Sequence, residues 1–276
     1  MSANVIESFR TAMIDSLGYA PETITPNVIQ RFKDLKGKLS GWSILYIDGR
    51  AAGVFGCYKQ GIKEKWKAAG HYPKLTDQQR LDFKVEQHRQ QLIRNAELQA
   101  RHNEAAQKSA TIWSKSDQAI NHDYLTKKRV KAHDLRIYNA SLVIPIFNDG
   151  TLVSIQFIDP QGNKKFLTGG KLKGSYSQLG QFSPDKPVLI CEGWATGASL
   201  HESTAYLVFV AFSAGNLKAV AQYVRSIYPT IQIIIMGDND PSGVGQKAAI
   251  DAALSIGGKY LIPDTAGNDW NDEVVA

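Results

Sequence analysis

Short, continuous apolar runs alternate with amphipathic stretches in the last third of the chain, from Pro187 onward. Continuous runs of this kind are typical of strands that helices cover on both faces, whereas half-exposed strands alternate apolar and polar residues. In order, the segments read PVLICEG, ATGASLHEST, YLVFVAFSA, NLKAVAQYVRSIY, IQIIIMGD, GVGQKAAIDAALSIG and KYLIPD. This pattern predicts a compact parallel-sheet α/β domain over residues 187–276.

Residues 136–186 show a hairpin pattern instead. The runs SLVIPIFN and TLVSIQFID are joined by Asp149-Gly150, and a turn at Pro160-Gln161-Gly162 leads into KKFLT. Asp-Gly between two apolar runs is a strong signal for a hairpin turn. We therefore expect a separate, mixed α/β subdomain with a lysine-bearing strand at its end.

The N-terminal residues 1–75 predict a small mixed α/β module. VIESFRTAMIDSL has the pattern of a helix, which Gly18 ends. The short strands WSILYID and AAGVFGCY follow, with Asp48-Gly49 as a hairpin turn between them. No internal repeat or low-complexity segment interrupts this arrangement.

A long helical region, residues 76–135, separates these parts. From Thr76 to about Ser116 the chain contains no Pro or Gly, and TDQQ at its start has the form of a capping box. The apolar residues form an irregular stripe rather than a heptad, which predicts a spacer helix packed on one side. They are Leu81, Phe83, Val85, Leu92, Ile93, Ala96 and Leu98. The basic side chains of this helix either follow a phosphate backbone or form an ordinary solvated face.

Composition narrows the classes of function. The formal net charge of +6 indicates an acidic partner, of which nucleic acid is the commonest. Cys57 and Cys191 are the only cysteines, so we expect neither a disulfide framework nor a zinc ribbon. No apolar run approaches the roughly 20 residues that cross a bilayer, and we expect a cytoplasmic protein without a membrane partner.

Acidic residues follow the predicted strands. Glu192 ends PVLICEG, and Asp238 and Asp240 follow IQIIIM. The carboxyl ends of parallel strands meet at one crevice, and alternation in an extended segment sends both aspartates to the same side. Carboxylates this close need a cation between them, and Mg²⁺ is the usual one. The alternative is that DNDPSG is simply a turn, since Asp, Asn, Pro and Gly all favour one.

A second acidic segment, GNDWND, follows KYLIPD and places Asp269 and Asp272 at what the pattern predicts to be the next strand end. These acids would share one Mg²⁺ with the first group or accommodate a second ion.

The strand ending in Glu-Gly, the strand ending in Asp-x-Asp-x-x-Gly and the later acid together resemble the TOPRIM domain of bacterial-type primases, topoisomerases and related nucleases. Upstream, LVIPIFNDGTLVSIQFIDPQGNKKFLTGGKLKGSYSQLG looks like the subdomain that precedes TOPRIM in primases. GWSILYIDGRAAGVFGCYKQGIKEKW and DYLTKKRVKAHDLRIY are similar to plasmid and phage primases that lack a zinc ribbon. The fold class implied is a TOPRIM α/β domain preceded by a mixed α/β primase subdomain, a long helix and an N-terminal α/β module.

The resemblance implies a DNA primase, a nucleotidyltransferase of the RNA polymerase type that makes short primers on single-stranded DNA in plasmid or phage replication. Asp238 and Asp240 would hold Mg²⁺ or Mn²⁺, and Glu192 would act as an acid/base or within the metal network. Asp269 is the best match to the downstream acid and Asp272 the second. Nucleoside triphosphates would be the substrates, with a replicative helicase as a partner in cis or trans. The family often has a lysine where this chain has Asn268.

Four lysines near the predicted hairpin are candidate contacts to nucleotide phosphates or to the template backbone: Lys164, Lys165, Lys171 and Lys173. The alternative is a solvated hairpin, since surface lysine is common. Arg31, Lys59 and Lys63 are fainter candidates. Trp42, Tyr58 and Trp66 either stack on bases or pack in the core, and core packing is the more usual role of aromatics.

Two other functions remain open from the residues. The same acids serve a metal-dependent TOPRIM nuclease. Alternatively, the chain is a non-catalytic module that binds single-stranded nucleic acid in a replication complex and in which the acids are structural.

Overall fold

The computed structural model describes residues 2–47, 50–69 and 76–274. The chain divides into two compact units, Met1–Glu86 and Gln87–Ala276, which we call the first and second units. The turn predicted at Asp48-Gly49 lies outside the described residues. Among the helices described, none has both the length and the apolar character needed to cross a membrane.

The first unit packs one helix on a four-stranded antiparallel sheet, of which the sequence predicted the helix and the two central strands. Its elements are α1 (Ser2–Leu17), β1 (Gln30–Phe32), β2 (Gly41–Tyr46), β3 (Ala52–Cys57) and β4 (Ile62–Lys67), with the strands in the order β1-β2-β3-β4. Gly18, at a φ of 82°, ends α1, because its N–H donates to the carbonyl of Ile14 over 2.8 Å. Phe9 and Met13 of α1 are fully buried against the sheet.

Helix α2 (Asp77–Ser114) is the predicted long helix. The capping box is confirmed: the Thr76 hydroxyl accepts the Gln79 N–H at 3.2 Å, and the Gln79 side chain accepts the Thr76 N–H at 2.9 Å. The prediction that its apolar stripe packs on one side was wrong. Every residue from Asp77 to Arg101 is exposed, and Ala105 and Ser109 are the buried residues of the helix. The irregular spacing of the stripe explains this, because it gives no continuous apolar face.

The second unit begins with an antiparallel sheet in the order β5-β6-β7-β8-β9. Its elements are β5 (Asp117–Gln118), α3 (Asp123–Lys128), β6 (Arg136–Tyr138), β7 (Ser141–Asn148), β8 (Thr151–Ile158) and β9 (Lys164–Phe166). The predicted turn between β7 and β8 is confirmed, with Asp149 and Gly150 at φ values of 49° and 71°.

The rest of the second unit contains the parallel-sheet α/β domain predicted over residues 187–276, with one further edge strand upstream of these residues. Its elements are β10 (Ser177–Leu179), β11 (Val188–Cys191), α4 (Trp194–Thr204), β12 (Leu207–Val210), α5 (Ala214–Ile227), β13 (Ile233–Met236), α6 (Val244–Ile256), β14 (Lys259–Leu261) and α7 (Trp270–Val274). The strand order is β10-β12-β11-β13-β14, in which β11 to β14 are parallel and β10 is an antiparallel edge.

Side chains of this sheet alternate between two cores. Leu189 and Cys191 of β11 pack with α3, α4 and the antiparallel sheet, while Val188 and Ile190 pack with α5 and α6. Both faces of the strand are therefore buried, which is why its sequence is a continuous apolar run. Cys57 and Cys191 are buried free thiols.

Candidate active site at the carboxyl ends of the parallel strands

Glu192 and Asp238 stand at the ends of neighbouring strands. Cys191 pairs with Met236 in the register of β11 and β13, and Glu192 follows Cys191 directly. Gly237 separates Met236 from Asp238, and a Cβ on this glycine would come within 2.6 Å of the side chains of Ala249 and Ile262. The glycine therefore lets α6 lie close to the strand end and carries the chain on to Asp238. Neighbouring strands lie about 4.8 Å apart, which keeps the two acids close.

The carboxylate of Glu192 faces the start of α5. The backbone N–H of Ala214 favours its charged form, and its Oε1 atom is buried without a hydrogen-bond partner. Burial raises the pKa of Glu192 to about 7, the charge of Asp238 adds to this, and the Ala214 hydrogen bond opposes it. Glu192 is therefore an acid poised to change its protonation near neutral pH.

Asp238 is the second partly buried acid. Its Oδ1 atom is also buried without a hydrogen-bond partner. Burial raises the pKa of Asp238 to about 6, and the negative charges of Asp269 and Asp240 contribute in the same direction, while Lys164 opposes them. The structure thus brings Glu192, Asp238 and the later acids into electrostatic contact.

Asp240 has a different environment from Asp238. It accepts hydrogen bonds from the Ser242 hydroxyl, from the Ser242 N–H at 2.9 Å and from the Gly245 N–H, in the first turn of α6, at 2.6 Å. The Ser242 hydroxyl and the Gly245 N–H lower the pKa of Asp240 below its ordinary value. The interpretation of DNDPSG as a turn fits Asp240, whose carboxylate accepts hydrogen bonds from Ser242. The interpretation as a cation site fits Asp238, which keeps a buried oxygen without a partner.

Asn239, between the two aspartates, ties this turn to the C-terminal loop. Its N–H donates to the Asn268 carbonyl at 3.1 Å, and its carbonyl accepts the Gly267 N–H at 2.6 Å. Its side-chain amide donates to the Pro263 carbonyl at 2.8 Å and accepts from Gln246 at 2.8 Å. These bonds hold the loop that carries Asp269 beside the loop that carries Asp238.

Asp269 and Asp272 form a reciprocal cap on α7. Asp269 Oδ1 accepts the N–H groups of Asn271 at 2.7 Å and Asp272 at 3.1 Å, and Asp272 Oδ2 accepts the Asp269 N–H at 3.2 Å. The ammonium of Lys128, at the end of α3, lies 3.7 Å from Asp269 and 3.5 Å from Asp272. Both acids therefore have a structural role and a cationic neighbour.

The four candidate lysines have different surroundings. Lys164 is the one whose charge interacts with Asp238 and Asp269, both of which raise its pKa. Loss of hydration, with the like charge of Lys128 next, outweighs them and lowers the pKa of Lys164 overall, although the residue remains exposed. Its ammonium lies 5.9 Å from the ring of Tyr124, whose pKa burial and the charge of Asp269 raise to about 12.

Each of the other three lysines has contacts of its own. Lys165 points to the opposite face of β9 from Lys164 and lines a cavity with Phe157 and Asp159. Lys171 donates to the Asn148 side chain at 2.6 Å. Lys173 lines a cavity of about 300 Å³ with Phe212 and Ser213, beside the start of α5.

Comparison with known proteins identifies the domain that holds the acids. Residues 187–276 match the family model described as the Toprim domain. The chain carries a Toprim domain.

Two proteins named DNA primase TraC, both from Escherichia coli, are similar to most of the chain. Both are 28% identical to it, over 246 and 244 residues, which cover 83% of this chain in each case but 23% and 17% of the relatives. The chain thus spans less than a quarter of the length of these curated relatives. The matches confirm the resemblance to TOPRIM primases of the plasmid type and the TOPRIM α/β fold class.

Among solved structures, the Aquifex aeolicus primase (zinc-binding and RNA polymerase domains) matches with a TM-score of 0.44 and 11% identity, covering 99% of this chain and 81% of that one. A DNA primase domain from Pseudomonas aeruginosa matches with a TM-score of 0.37 and 16% identity, covering 51% and 48%.

The acids of this Toprim domain fit a divalent cation. Toprim domains of primases generally bind divalent metals. Across residues 2–47, 50–69 and 76–274, no three His, Cys, Asp or Glu side chains form a ready-made cluster. Glu192 and Asp238 nevertheless each present a buried oxygen without a partner, and two carboxylates completed by water and phosphate are the ligand set that Mg²⁺ prefers.

Sequence reasoning missed Lys128 of the Toprim site. The family often has a lysine immediately before the acid that Asp269 matches, and this chain has Asn268 there. Lys128, on a helix far away in the sequence, brings an ammonium to Asp269 instead. Its position depends on Asn271, whose side chain donates to the Lys128 carbonyl at 2.9 Å and to the Ser199 hydroxyl at 2.7 Å. DYLTKK carries no signal of this contact, since it arises from tertiary packing alone.

Proposed function

We propose that the chain is the catalytic part of a DNA primase, which synthesises short primers on single-stranded DNA by template-directed nucleotidyl transfer. The observation that carries the proposal is the pair of buried, unpartnered carboxylate oxygens of Glu192 and Asp238, at neighbouring strand ends of a Toprim domain. The similarity to DNA primase TraC over most of the chain supports primer synthesis over other uses of these acids.

The roles of the residues follow from their surroundings. Glu192 and Asp238 would hold the divalent cation, Mg²⁺ or Mn²⁺, which when bound neutralises triphosphate charge and favours ionisation of the attacking hydroxyl. Asp240, fixed by three hydrogen bonds, keeps its negative charge and holds the start of α6 beside Asp238. Lys164 adds a positive charge beside the acids, where a substrate phosphate would need one.

Asp269 and Asp272 would act mainly by positioning α7 and the neighbouring charged groups. Asp269 caps α7 and interacts with Asp238, Lys164 and Lys128, so it sets the local balance of charge. Asp272 supports Asp269 through the reciprocal cap.

We further propose nucleoside triphosphates as substrates and a role in plasmid or phage replication within the cytoplasm, alongside a replicative helicase. The likeness to TraC and the net charge of +6, which suits a polyanionic template, support this setting.

The test is incorporation of labelled nucleotide on unprimed single-stranded DNA with Mg²⁺ or Mn²⁺. Glu192→Gln and Asp238→Asn remove the two carboxylates, while Glu97→Gln and Asp251→Asn make the same chemical changes at exposed positions. We expect metal-dependent products from the wild type and both controls and none from the site variants. Equal synthesis by Asp238→Asn would contradict the assignment.

The same assay separates the other functions. Cleavage of the DNA without added nucleotide, lost in Asp238→Asn, would show a Toprim nuclease. Binding without synthesis or cleavage under either metal would show a non-catalytic binding module.

A further inference from the structure

The antiparallel sheet of the first unit has one face that α1 does not cover. Gly53 lies on the covered face, because a Cβ there would come within 2.5 Å of the Phe9 ring of α1. Gly56 is three residues further along the same strand and lies on the other face, where a Cβ would come within 3.1 Å of the Trp42 ring. Trp42 therefore lies across the uncovered face of the sheet.

Strand β4 places its lysines on this uncovered face. Lys63 pairs with Gly56, Lys65 with Val54 and Lys67 with Ala52. Residues directly opposite each other in an antiparallel pair point to the same side, so the three lysines share the face of Gly56 and Trp42. All three are exposed, and they follow one another along the strand at a spacing of about 7 Å.

The remaining residues of β4 point towards α1. Glu64 accepts a hydrogen bond from the Ser16 hydroxyl of α1 at 2.7 Å. Trp66 packs edge-on against Phe9, with ring centroids 5.2 Å apart. Glu64 is the only acid in the described strands β1–β4, so these strands contribute lysines without acids to the uncovered face.

Aromatic and guanidinium groups complete this surface. Arg31 of β1 pairs with Trp42. The Arg31 guanidinium lies 4.9 Å from the centroid of the Tyr58 ring, and that ring lies 6.0 Å from the Trp42 ring. Tyr58 is 65% exposed. We call Arg31, Trp42, Tyr58, Lys63, Lys65 and Lys67 the basic sheet face.

We propose that the basic sheet face binds single-stranded nucleic acid. Four cationic side chains complement a phosphate backbone, and the row of lysines gives it a path along β4. The exposed Tyr58 ring, beside the half-buried Trp42 ring, favours a single strand over a duplex or an acidic protein, because unpaired bases offer faces for stacking whatever their sequence. Trp66, one of the three aromatics considered for base stacking, packs in the core instead.

This binding does not depend on the Toprim acids. It gives the nucleic acid a contact on the first unit that needs neither a divalent ion nor a nucleotide. A failure of primer synthesis therefore leaves the inference standing, and the binding experiment is done in EDTA without nucleotides to keep the two separate.

The first test measures binding of the full chain to a fluorescent oligothymidine by anisotropy, over a series of salt concentrations. Replacing Lys63, Lys65 and Lys67 together by Ala should lower the salt slope of log K by about 2, since each contact to a single strand contributes about 0.7. Lys115, Lys186 and Lys259, three exposed lysines of the second unit, give the matched control. An equal fall of the slope in both triple variants would overturn the proposal. Circular dichroism and thermal unfolding check the fold.

The second test uses Tyr58 alone, whose exposure makes a folding defect easy to exclude. Tyr58→Ala should weaken binding by about tenfold through lost stacking, whereas Tyr58→Phe keeps the ring and should bind like the wild type. Wild-type affinity in Tyr58→Ala would overturn the stacking role. Competition by duplex DNA or polyglutamate as effective as that by unlabelled oligothymidine would overturn the preference for a single strand.

Discussion

The ammonium of Lys128 lies 3.7 Å from Oδ2 of Asp269, a residue that caps α7 and interacts electrostatically with Asp238. The contact brings a positive charge from α3 to a group of acids that lie far apart in the sequence but interact in the folded domain. Lys128 and Asp269 are both partly exposed, so their attraction contributes little to the free energy of folding. The contact mainly changes the balance of charge around Asp238.

Lys128→Met should therefore change activity more than stability. We expect the free energy of unfolding to fall by at most about 1 kcal/mol, because the ion pairs are partly solvated. Nucleotide incorporation should fall clearly, since the acids lose a compensating charge. Lys127→Met, at the exposed neighbouring position, is the control. The same activity in both variants would show that Lys128 has no role in the site.

In the metal-free protein, the contribution of Glu192 and Asp238 to stability should fall as the pH rises from about 4 to about 7. Folding raises the pKa of Glu192 from 4.5 to about 7 and that of Asp238 from 3.8 to about 6, so the folded state binds more protons than the unfolded chain. The stabilisation is complete below the unfolded pKa values and is lost as the pH passes the folded ones. For Glu192 it amounts to about 3 kcal/mol.

Urea unfolding in EDTA at several pH values checks this dependence. Other carboxylates titrate over the same range, so the informative quantity is the difference between the wild type and Glu192→Gln. This difference should grow as the pH rises, with the variant the more stable protein at pH 8. A constant difference would mean that the Glu192 carboxyl is not the group responsible.

Asp238 and Asp240 should differ sharply on replacement by Ala. Asp240 accepts three hydrogen bonds at the start of α6, so Asp240→Ala should lower the free energy of unfolding by about 1–2 kcal/mol, as the loss of a helix cap does. Asp238→Ala removes an unpartnered charge and should leave the metal-free fold as stable or more so. Thermal unfolding in EDTA distinguishes them.

Lys164 and Lys165 form a matched pair on opposite faces of β9. Lys164→Ala should raise the concentration of nucleotide needed for half-maximal incorporation, because it removes a positive charge that interacts with both Asp238 and Asp269. Lys165→Ala changes the charge equally and should leave this concentration close to the wild-type value. The reverse result would place the substrate phosphates on the other face of the hairpin.

The sequence predicted the elements whose patterns are strong. The continuous apolar runs of β11, β12 and β13 are best buried between two layers of helices, and the rule for strand ends then places Glu192 and Asp238. The environment of Asp240 was harder to predict. The sequence DNDPSG is compatible with a carboxylate that faces the same side as Asp238 and with one that bonds Ser242, and side-chain geometry decides between them.

Short and strongly charged elements were not predicted. IKEKWK does alternate, but its outward residues are lysines and its inward ones include Glu64, so β4 lacks the usual contrast of apolar and polar positions. The six residues of α3 are too few to show a helical period, and the place of Lys128 depends on the approach of α7.

Helix α2 has a practical consequence for handling the protein. Its 38 residues would extend about 57 Å, and no side chain between Asp77 and Arg101 is buried. An exposed segment of this kind opens locally at low cost, so we expect trypsin to cut within it, at sites that include Lys84 and Arg94. Such a cut leaves every Toprim acid and Lys164 on one fragment, so a brief digestion is a direct route to the second unit for crystallisation.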